Sequence, residues 1–409
     1  MQTSLSAEFR DTPGGRQAED ILRNCVHCGF CNATCPTYEL LGDELDGPRG
    51  RIYQMKQFLE RAADGAAMRR HLDRCLLCRN CETTCPSGVR YSRLLEISQS
   101  ALDEKRPRGF IERLRRRLLT RIITHRGLFG ALLHLGRGAK LAAKAMGMAP
   151  PLLAQVPERQ AALGLGGLPT GDGQRRMIAL AGCVQSALAA NTNLAAAHVL
   201  GRLGITLFEV GGAGCCGGVA LHTCGEARGR AAARRLIDRW LPHLEQGVEA
   251  IVMTASGCGV TVKEYPHLFE DDPEYRDKAR RVSDKTVDLC ELLRRELPAG
   301  YIPSVAPQKV AFHAPCTLQH GQRITGAVES VLVRAGHSLC AVRDSHLCCG
   351  SAGTYSLLQP AISAQLRRNK YAALTAEGPE VLCTANIGCQ IHLAAGADRP
   401  VVHWVELLL

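Results

Sequence analysis

Eight cysteines fall into one phrase written twice: Cys25, Cys28, Cys31 and Cys35 followed by Pro36, then Cys75, Cys78, Cys81 and Cys85 followed by Pro86. Each copy reads CxxCxxCxxxCP, the run that holds 4Fe-4S cubanes, so two such clusters are expected. Three cysteines spaced three apart wrap a short loop around one face of a cubane, and their thiolates meet three of its irons. The fourth iron needs a distant ligand. A cysteine four residues further on is read as having entered a helix and points away, while the proline behind it directs the chain out. The ligands are then crossed, with Cys25, Cys28, Cys31 and Cys85 around one cluster and Cys75, Cys78, Cys81 and Cys35 around the other. Crossing holds the two clusters close together, as an electron relay requires.

Structural zinc also uses CxxC pairs, but it needs two pairs per site rather than a triplet plus a remote single, and it gains nothing from the proline. A disulfide framework suits short secreted chains, whereas 409 residues with 46% apolar composition suffice for ordinary buried cores in two or three domains. Residues Met1 to Arg23 carry no apolar signal-like stretch, and no window offers about 18 apolar residues in a row. Twenty cysteines without a signal peptide imply a reducing compartment and metal chemistry. The expected location is peripheral, on the cytoplasmic side of the inner membrane. A net charge of +11 raises the question of nucleic acid. Aromatics at 4% and the lack of any helix-turn-helix or zinc-finger spacing argue against it, and anionic lipid or an acidic partner accounts for the charge as well.

The elements that must position the cysteines follow from periodicity. Between the two motifs, Gly47-Pro48-Arg49-Gly50-Arg51 precedes Ile52, Met55, Phe58, Leu59 and Ala62 at helical spacing. Arg49 and Arg51 either lie beside a cluster, raising its potential, or solvate a helix start. His27 reads as a loop residue. Residues 1–100 are thus assigned to the cluster domain and 101–173 to a basic linker. In the linker Phe110, Ile111, Leu114, Leu118, Leu119, Ile122 and Ile123 form one helical face and Arg113, Arg116, Arg117 and Arg121 the other. Gly127 is read as the break, and a second apolar-basic piece runs to Met148 before Pro150-Pro151. Such a stretch either packs as a linker helix or lies on an anionic membrane surface. Gly164 to Gly173 reads as a glycine-rich linker, without the GxGxxG of a nucleotide loop.

The remainder is an internal repeat, 174–300 and 301–409. Met177 to Cys183 matches Val310 to Cys316, and Gly214-Cys215-Cys216-Gly217 matches Leu347-Cys348-Cys349-Gly350, both offset by 133 residues. Thr254 to Cys258 matches Thr384 to Cys389, and Val287 to Leu293 matches Val402 to Leu408; the acidic insert Lys263 to Asp284 has no counterpart. Short apolar runs alternate with helical ones, which predicts a mainly parallel α/β sheet in each copy. Ligands gather at the carboxyl ends of such strands. Each copy can therefore bring Cys183, Cys215, Cys216 and Cys258, or Cys316, Cys348, Cys349 and Cys389, to one edge, as a candidate further cluster site or as buried core. Cys224, Cys290, Cys340 and Cys383 have no partner in the other copy and read as core.

The helical insert resembles the all-helical ferredoxin domain of respiratory dehydrogenase iron-sulfur subunits. The whole order of modules resembles the iron-sulfur subunits of glycolate dehydrogenase, also called glycolate oxidase: two CxxCxxCxxxCP motifs around GPRGR, then two repeats each with a CCG. Iron-sulfur subunits of anaerobic glycerol-3-phosphate dehydrogenase and heterodisulfide reductases are built similarly. The resemblance implies a multidomain α plus α/β chain, an all-helical two-cluster ferredoxin domain followed by a duplicated cysteine-rich α/β domain. It further implies partner subunits bearing FAD that oxidise glycolate to glyoxylate, with electrons passing through this chain toward a membrane quinone. Heterodisulfide reductases end each cysteine-rich repeat in CxxC, whereas Ala255 and Asn386 stand at the first cysteine of that pair here. Each copy has one thiolate fewer than theirs.

Overall fold

A computed structural model describes residues 1–146, 156–158, 160–165 and 175–409. Pro150-Pro151 and most of the stretch from Gly164 to Gly173 lie outside the described residues, as does the side chain of Cys224.

The first hundred residues are helical. Thr12 caps the helix Pro13–Asn24 by accepting from the Gly15 N–H, and prolines open the helices Pro36–Leu41 and Pro48–Leu59, where a missing N–H costs nothing. With Ala66–Asp73 and Tyr91–Lys105 they enclose a core of Leu5, Ile21, Leu22, Met55, Leu59, Leu72 and Leu94. The fourth cysteine of each motif is not inside a helix. Cys35 is the extended residue before Pro36, and Cys85 the extended residue closing Asn80–Thr84. Both leave their loops because the backbone straightens there, and Pro36 enforces this on Cys35 by disfavouring the helical conformation in the residue before it.

One buried ion network braces this domain. The Asp46 carboxylate, 0% exposed, accepts from Arg74 at 2.5 Å and from Arg51 at 3.4 Å, with His71 Nδ1 at 3.0 Å. Arg51 is only 1% exposed and also donates to the His71 carbonyl and the Thr37 hydroxyl. It does not solvate a helix start. Burial opposes its charge, but Tyr91, Cys75, Cys35 and Asp46 outweigh that and raise its pKa.

The linker forms two helices, Phe110–Thr124 and Arg126–Ala145. They part at His125, which turns extended and caps the second by accepting from the Leu128 N–H; Gly127 lies inside that second helix. Arg108 and Arg116 tie the first helix to Asp73, and it packs on the helix Gly218–Cys224, yet Phe110, Ile111, Leu114 and Leu118 remain exposed. No helix among the described residues is long and apolar enough to cross a membrane.

The repeats each form a four-stranded parallel sheet. The first comprises β1 (Arg175–Ala179), β2 (Ile205–Glu209), β3 (Ala250–Met253) and β4 (Thr286–Asp288) in the order β2-β1-β3-β4. The second comprises β5 (Lys309–His313), β6 (Ser338–Leu339), β7 (Val381–Thr384) and β8 (Val401–His403) in the order β6-β5-β7-β8. The repeated tails end alike: Asp288 with Glu291, and His403 with Glu406, form capping boxes. One continuous core joins the copies, and Ser256 N–H donates to the Ala385 carbonyl across their junction. Cys290, Cys340 and Cys383 are buried.

Replacing Asp46 with Asn strips the Arg51 and Arg74 charges of their partner in a dry site. We expect a loss of about 3 kcal/mol or more of stability, read as a lower thermal midpoint of the anaerobic protein; an unchanged midpoint would show the network to be dispensable.

Candidate metal centres

Both cysteine loops of the ferredoxin domain adopt one backbone path. The second residue after the first cysteine is left-handed in each, His27 at φ 60° and Leu77 at φ 52°, and so is the fourth, Gly29 at φ 85° and Arg79 at φ 61°. These turns curl three sulfur atoms toward a common point. Glycine takes this conformation freely, whereas arginine does so at a cost. Arg79 is held there by an ion pair with Glu264, in the acidic insert of the first repeat.

The eight sulfurs line two hollows. Cys25, Cys28, Cys31 and Cys85 line the first together with Arg49; Cys35, Cys75 and Cys78 line the second together with Arg51; Cys81 borders both. Pro48, Cys81 and Tyr91 form the wall they share, and the Tyr91 hydroxyl donates to Cys75 Sγ at 3.7 Å. Cys25, Cys31 and Cys85 are near enough to perturb one another: burial, then Cys25 and Cys85, pushes the Cys31 thiol up to about 12. Burial, then Cys316, Cys35 and Cys75, raises the Cys78 thiol. Burial, then Cys78 and Cys75, raises Cys81, with Cys35 contributing as well. Each triplet is thus joined by the fourth cysteine of the other motif. Four thiols so close cannot all ionise unless a cation sits among them, which is the condition a cluster satisfies. The Leu77 N–H also donates to Cys75 Sγ at 3.4 Å, and the Thr37 hydroxyl lies 3.3 Å from Cys35 Sγ. His27 stays in the loop, its Nδ1 3.1 Å from Met1 Sδ.

The two hollows differ in exposure. Around the first, Cys28 is exposed and Val26 and Phe30 are 67% and 62% exposed. The second faces the second repeat, where Leu76, Cys348, Tyr355 and Leu366 form a small core joined by Cys78 and Cys316. Tyr355 donates to the Arg74 carbonyl, Asn80 to the His346 carbonyl, and Thr83 meets His320 Nδ1 at 2.9 Å. No local sequence pattern marks the pairings by Arg79, Asn80 and Thr83, whose partners lie 185, 266 and 237 residues away.

The repeats also gather their cysteines. The free thiols of Cys183, Cys215, Cys216 and Cys258 lie close enough to perturb one another in that order. The second copy reproduces the order, Cys316 to Cys348 at 3.9 Å, Cys348 to Cys349, and Cys349 to Cys389. Cys183 and Cys316 follow β1 and β5, and Cys258 and Cys389 lie in the first turn of the helices after β3 and β7, so these four occupy carboxyl-end positions, while Cys215, Cys216, Cys348 and Cys349 lie in the segments after β2 and β6. The glycine of each CCG explains itself. Gly217 and Gly350 have φ 92° and 91°, their N–H groups donate to Cys215 and Cys348, and a Cβ would lie 2.8 Å from the Gly229 oxygen or 2.7 Å from the Ser363 oxygen.

A family model described as a 4Fe-4S dicluster domain matches residues 21–89, and one described as a cysteine-rich domain matches 178–263 and 310–394. The glycolate oxidase iron-sulfur subunit of Escherichia coli K12 is 49% identical over all of this chain and 98% of that protein. This chain belongs to the glycolate oxidase iron-sulfur subunit family. The probable glycolate oxidase iron-sulfur subunit of Bacillus subtilis is 28% identical over 99% of the chain and 96% of that protein. Lactate utilization protein A of Bacillus velezensis is 30% identical over 55% of the chain and 95% of its own length. In this subunit family the N-terminal helical region is a 4Fe-4S dicluster module and the two parallel-sheet repeats are cysteine-rich modules of an oxidoreductase component.

Gly350→Ala forces a side chain into left-handed backbone and against the Ser363 carbonyl. The expected cost is about 1–3 kcal/mol, with the Cys348 and Cys349 sulfurs displaced; a thermal midpoint and metal content equal to wild type would refute it.

Proposed function

We propose that this chain is the electron-transfer subunit of a flavin-dependent complex that oxidises glycolate to glyoxylate. Cys25, Cys28, Cys31 and Cys85 hold one 4Fe-4S cluster and Cys75, Cys78, Cys81 and Cys35 the other. Bound there, the clusters supply one-electron acceptance and release. The observation that carries this reading is the pair of hollows that share Pro48, Cys81 and Tyr91 as a wall, the first beside the exposed Cys28 and the second beside Leu76 and Cys78, on which the second repeat packs.

Removing a hydride equivalent from a 2-hydroxy acid is flavin chemistry, and FAD on partner subunits fits the requirement. The exposed Val26 and Phe30 beside Cys28 suit the face where such a partner approaches. Arg49 stands at the same rim, bonded to Glu44, and Arg51 lies at the second hollow. Positive charge at both places favours a reduced, more negative centre. The helix Phe110–Thr124, with Phe110, Ile111, Leu114 and Leu118 exposed among arginines, suits a peripheral position on the cytoplasmic face of the inner membrane and delivery to a quinone.

With the FAD-bearing partners present, glycolate added anaerobically should reduce the clusters and produce the EPR signal of reduced 4Fe-4S centres. Reduction by sn-glycerol 3-phosphate but not by glycolate would move the substrate elsewhere. Cys85→Ser should damage the cluster of Cys25, Cys28 and Cys31 and spare the other, as seen in iron content and EPR. Damage confined to the cluster of Cys75, Cys78 and Cys81 would refute the crossed assignment.

A further inference from the structure

The second repeat contains a buried histidine whose ring nitrogens meet no hydrogen-bond partner. His313 ends β5 and is 2% exposed, and neither Nδ1 nor Nε2 is bonded. Other buried histidines of the same repeat are served at both nitrogens: His320 by Thr83 and the His346 carbonyl, His337 by the Gln308 N–H and the Leu407 carbonyl, His403 by the Val405 N–H and the Thr254 carbonyl. An unpaired buried imidazole is costly and calls for another partner. One is at hand. A ring nitrogen of His313 and the sulfurs of Cys349 and Cys389 all lie within 4.8 Å of one another, and all three residues are buried. Donor atoms around a single thiophilic metal, each roughly 2.0–2.3 Å from it, have comparable mutual spacing.

Two further observations point the same way. Lys370 is 3% exposed, donates to the Asp344 carbonyl, and turns its charge on Cys348, Cys349 and Cys389. A cation beside these sulfurs would offset the charge of thiolates held by a metal. Asn386 occupies the place of the missing CxxC cysteine but directs its Nδ2 to Cys389 Sγ at 3.6 Å, as a donor to the sulfur and not as a ligand. The first repeat lacks the arrangement, since the residue in register with His313 is Leu180, itself buried.

We propose that the second repeat holds a metal centre with His313 as its imidazole ligand alongside Cys349 and Cys389, with Cys316 and Cys348 completing the donor group. Thiolate and imidazole donors suit either an iron-sulfur cluster or zinc. The proposal rests on the reading of the cysteine-rich repeats as metal-binding, and it is independent of which substrate the complex oxidises.

The test uses the full-length chain, purified anaerobically, with iron, zinc and sulfide quantified. We expect metal beyond the content of two 4Fe-4S clusters. Excess iron with sulfide should show nitrogen hyperfine coupling that changes on 15N-histidine labelling, whereas excess zinc should show nitrogen beside sulfur in its X-ray absorption shell. His313→Leu, which installs the residue of the first repeat, should weaken retention of the excess metal against a chelator about tenfold or more, leaving the dicluster EPR signals in place. No metal beyond the two clusters, or a centre without nitrogen in its shell, would overturn the proposal. So would a folded His313→Leu protein that keeps the excess metal unchanged. The nitrogen measurements are made on the unaltered protein, so they decide even where the variant does not fold. If glycolate fails to reduce the complex while the nitrogen-bearing centre is found, the substrate assignment falls and this one stands.

Discussion

Sulfur crowding is the constraint on which the rest of the structure depends. In water, four thiols a few ångströms apart would repel as thiolates only weakly; in a dry protein the same group resists ionisation strongly. Cys31 is pushed up to about 12 and Cys78 is raised by burial and by neighbouring cysteines. Bringing such groups together is stabilising only around positive charge, and the fold places charge nearby: Arg49 and Arg51 at the two hollows, Lys370 at the second repeat. Backbone and hydroxyl donors to sulfur do the same work at shorter range. A metal completes that balance, because it takes the thiolates directly and releases their protons.

Left-handed backbone is the means by which short loops aim their sulfurs inward, and its cost is met differently in each loop. In the first ferredoxin loop Gly29 turns freely, while in the second the equivalent Arg79 is held by Glu264 from the first repeat. The second loop is thereby shaped by the module it touches. This couples the integrity of one cluster site to the docking of the repeats, whereas the first site is built within the ferredoxin domain and faces outward.

Much of this was legible in the residues alone because cysteine spacing is a local signal. The two CxxCxxCxxxCP runs and the duplicated parallel sheets of the repeats follow from short-range pattern and register. What escaped was long-range or conformational. From the residues alone Arg51 stands equally at a cluster or at a helix start, and only the fold places it at the second hollow with Asp46 as its partner. The helix break fell to His125, which caps with its ring, and not to Gly127, because a helix tolerates one glycine where a cap is available two residues earlier. His313 was in plain view in the repeat alignment, opposite Leu180, but a polar residue ending a strand carries no meaning until its nitrogens are seen to have nothing else to bind.

Duplication gave this chain two similar pockets, and the contacts with the ferredoxin domain made them unequal. Cys78 approaches Cys316 and Cys348, so the second copy is the one that adjoins the second cluster site. It is also the copy with a buried cation beside its cysteines and an imidazole aimed among them. The first copy instead spends its extra sequence on the insert that supplies Glu264, the clamp on Arg79. A centre in the second copy would extend the line of the two ferredoxin sites, and charge passed to it would remain under Lys370. His313, where the first copy has Leu180, thus stands in the copy whose cysteines adjoin the second ferredoxin site.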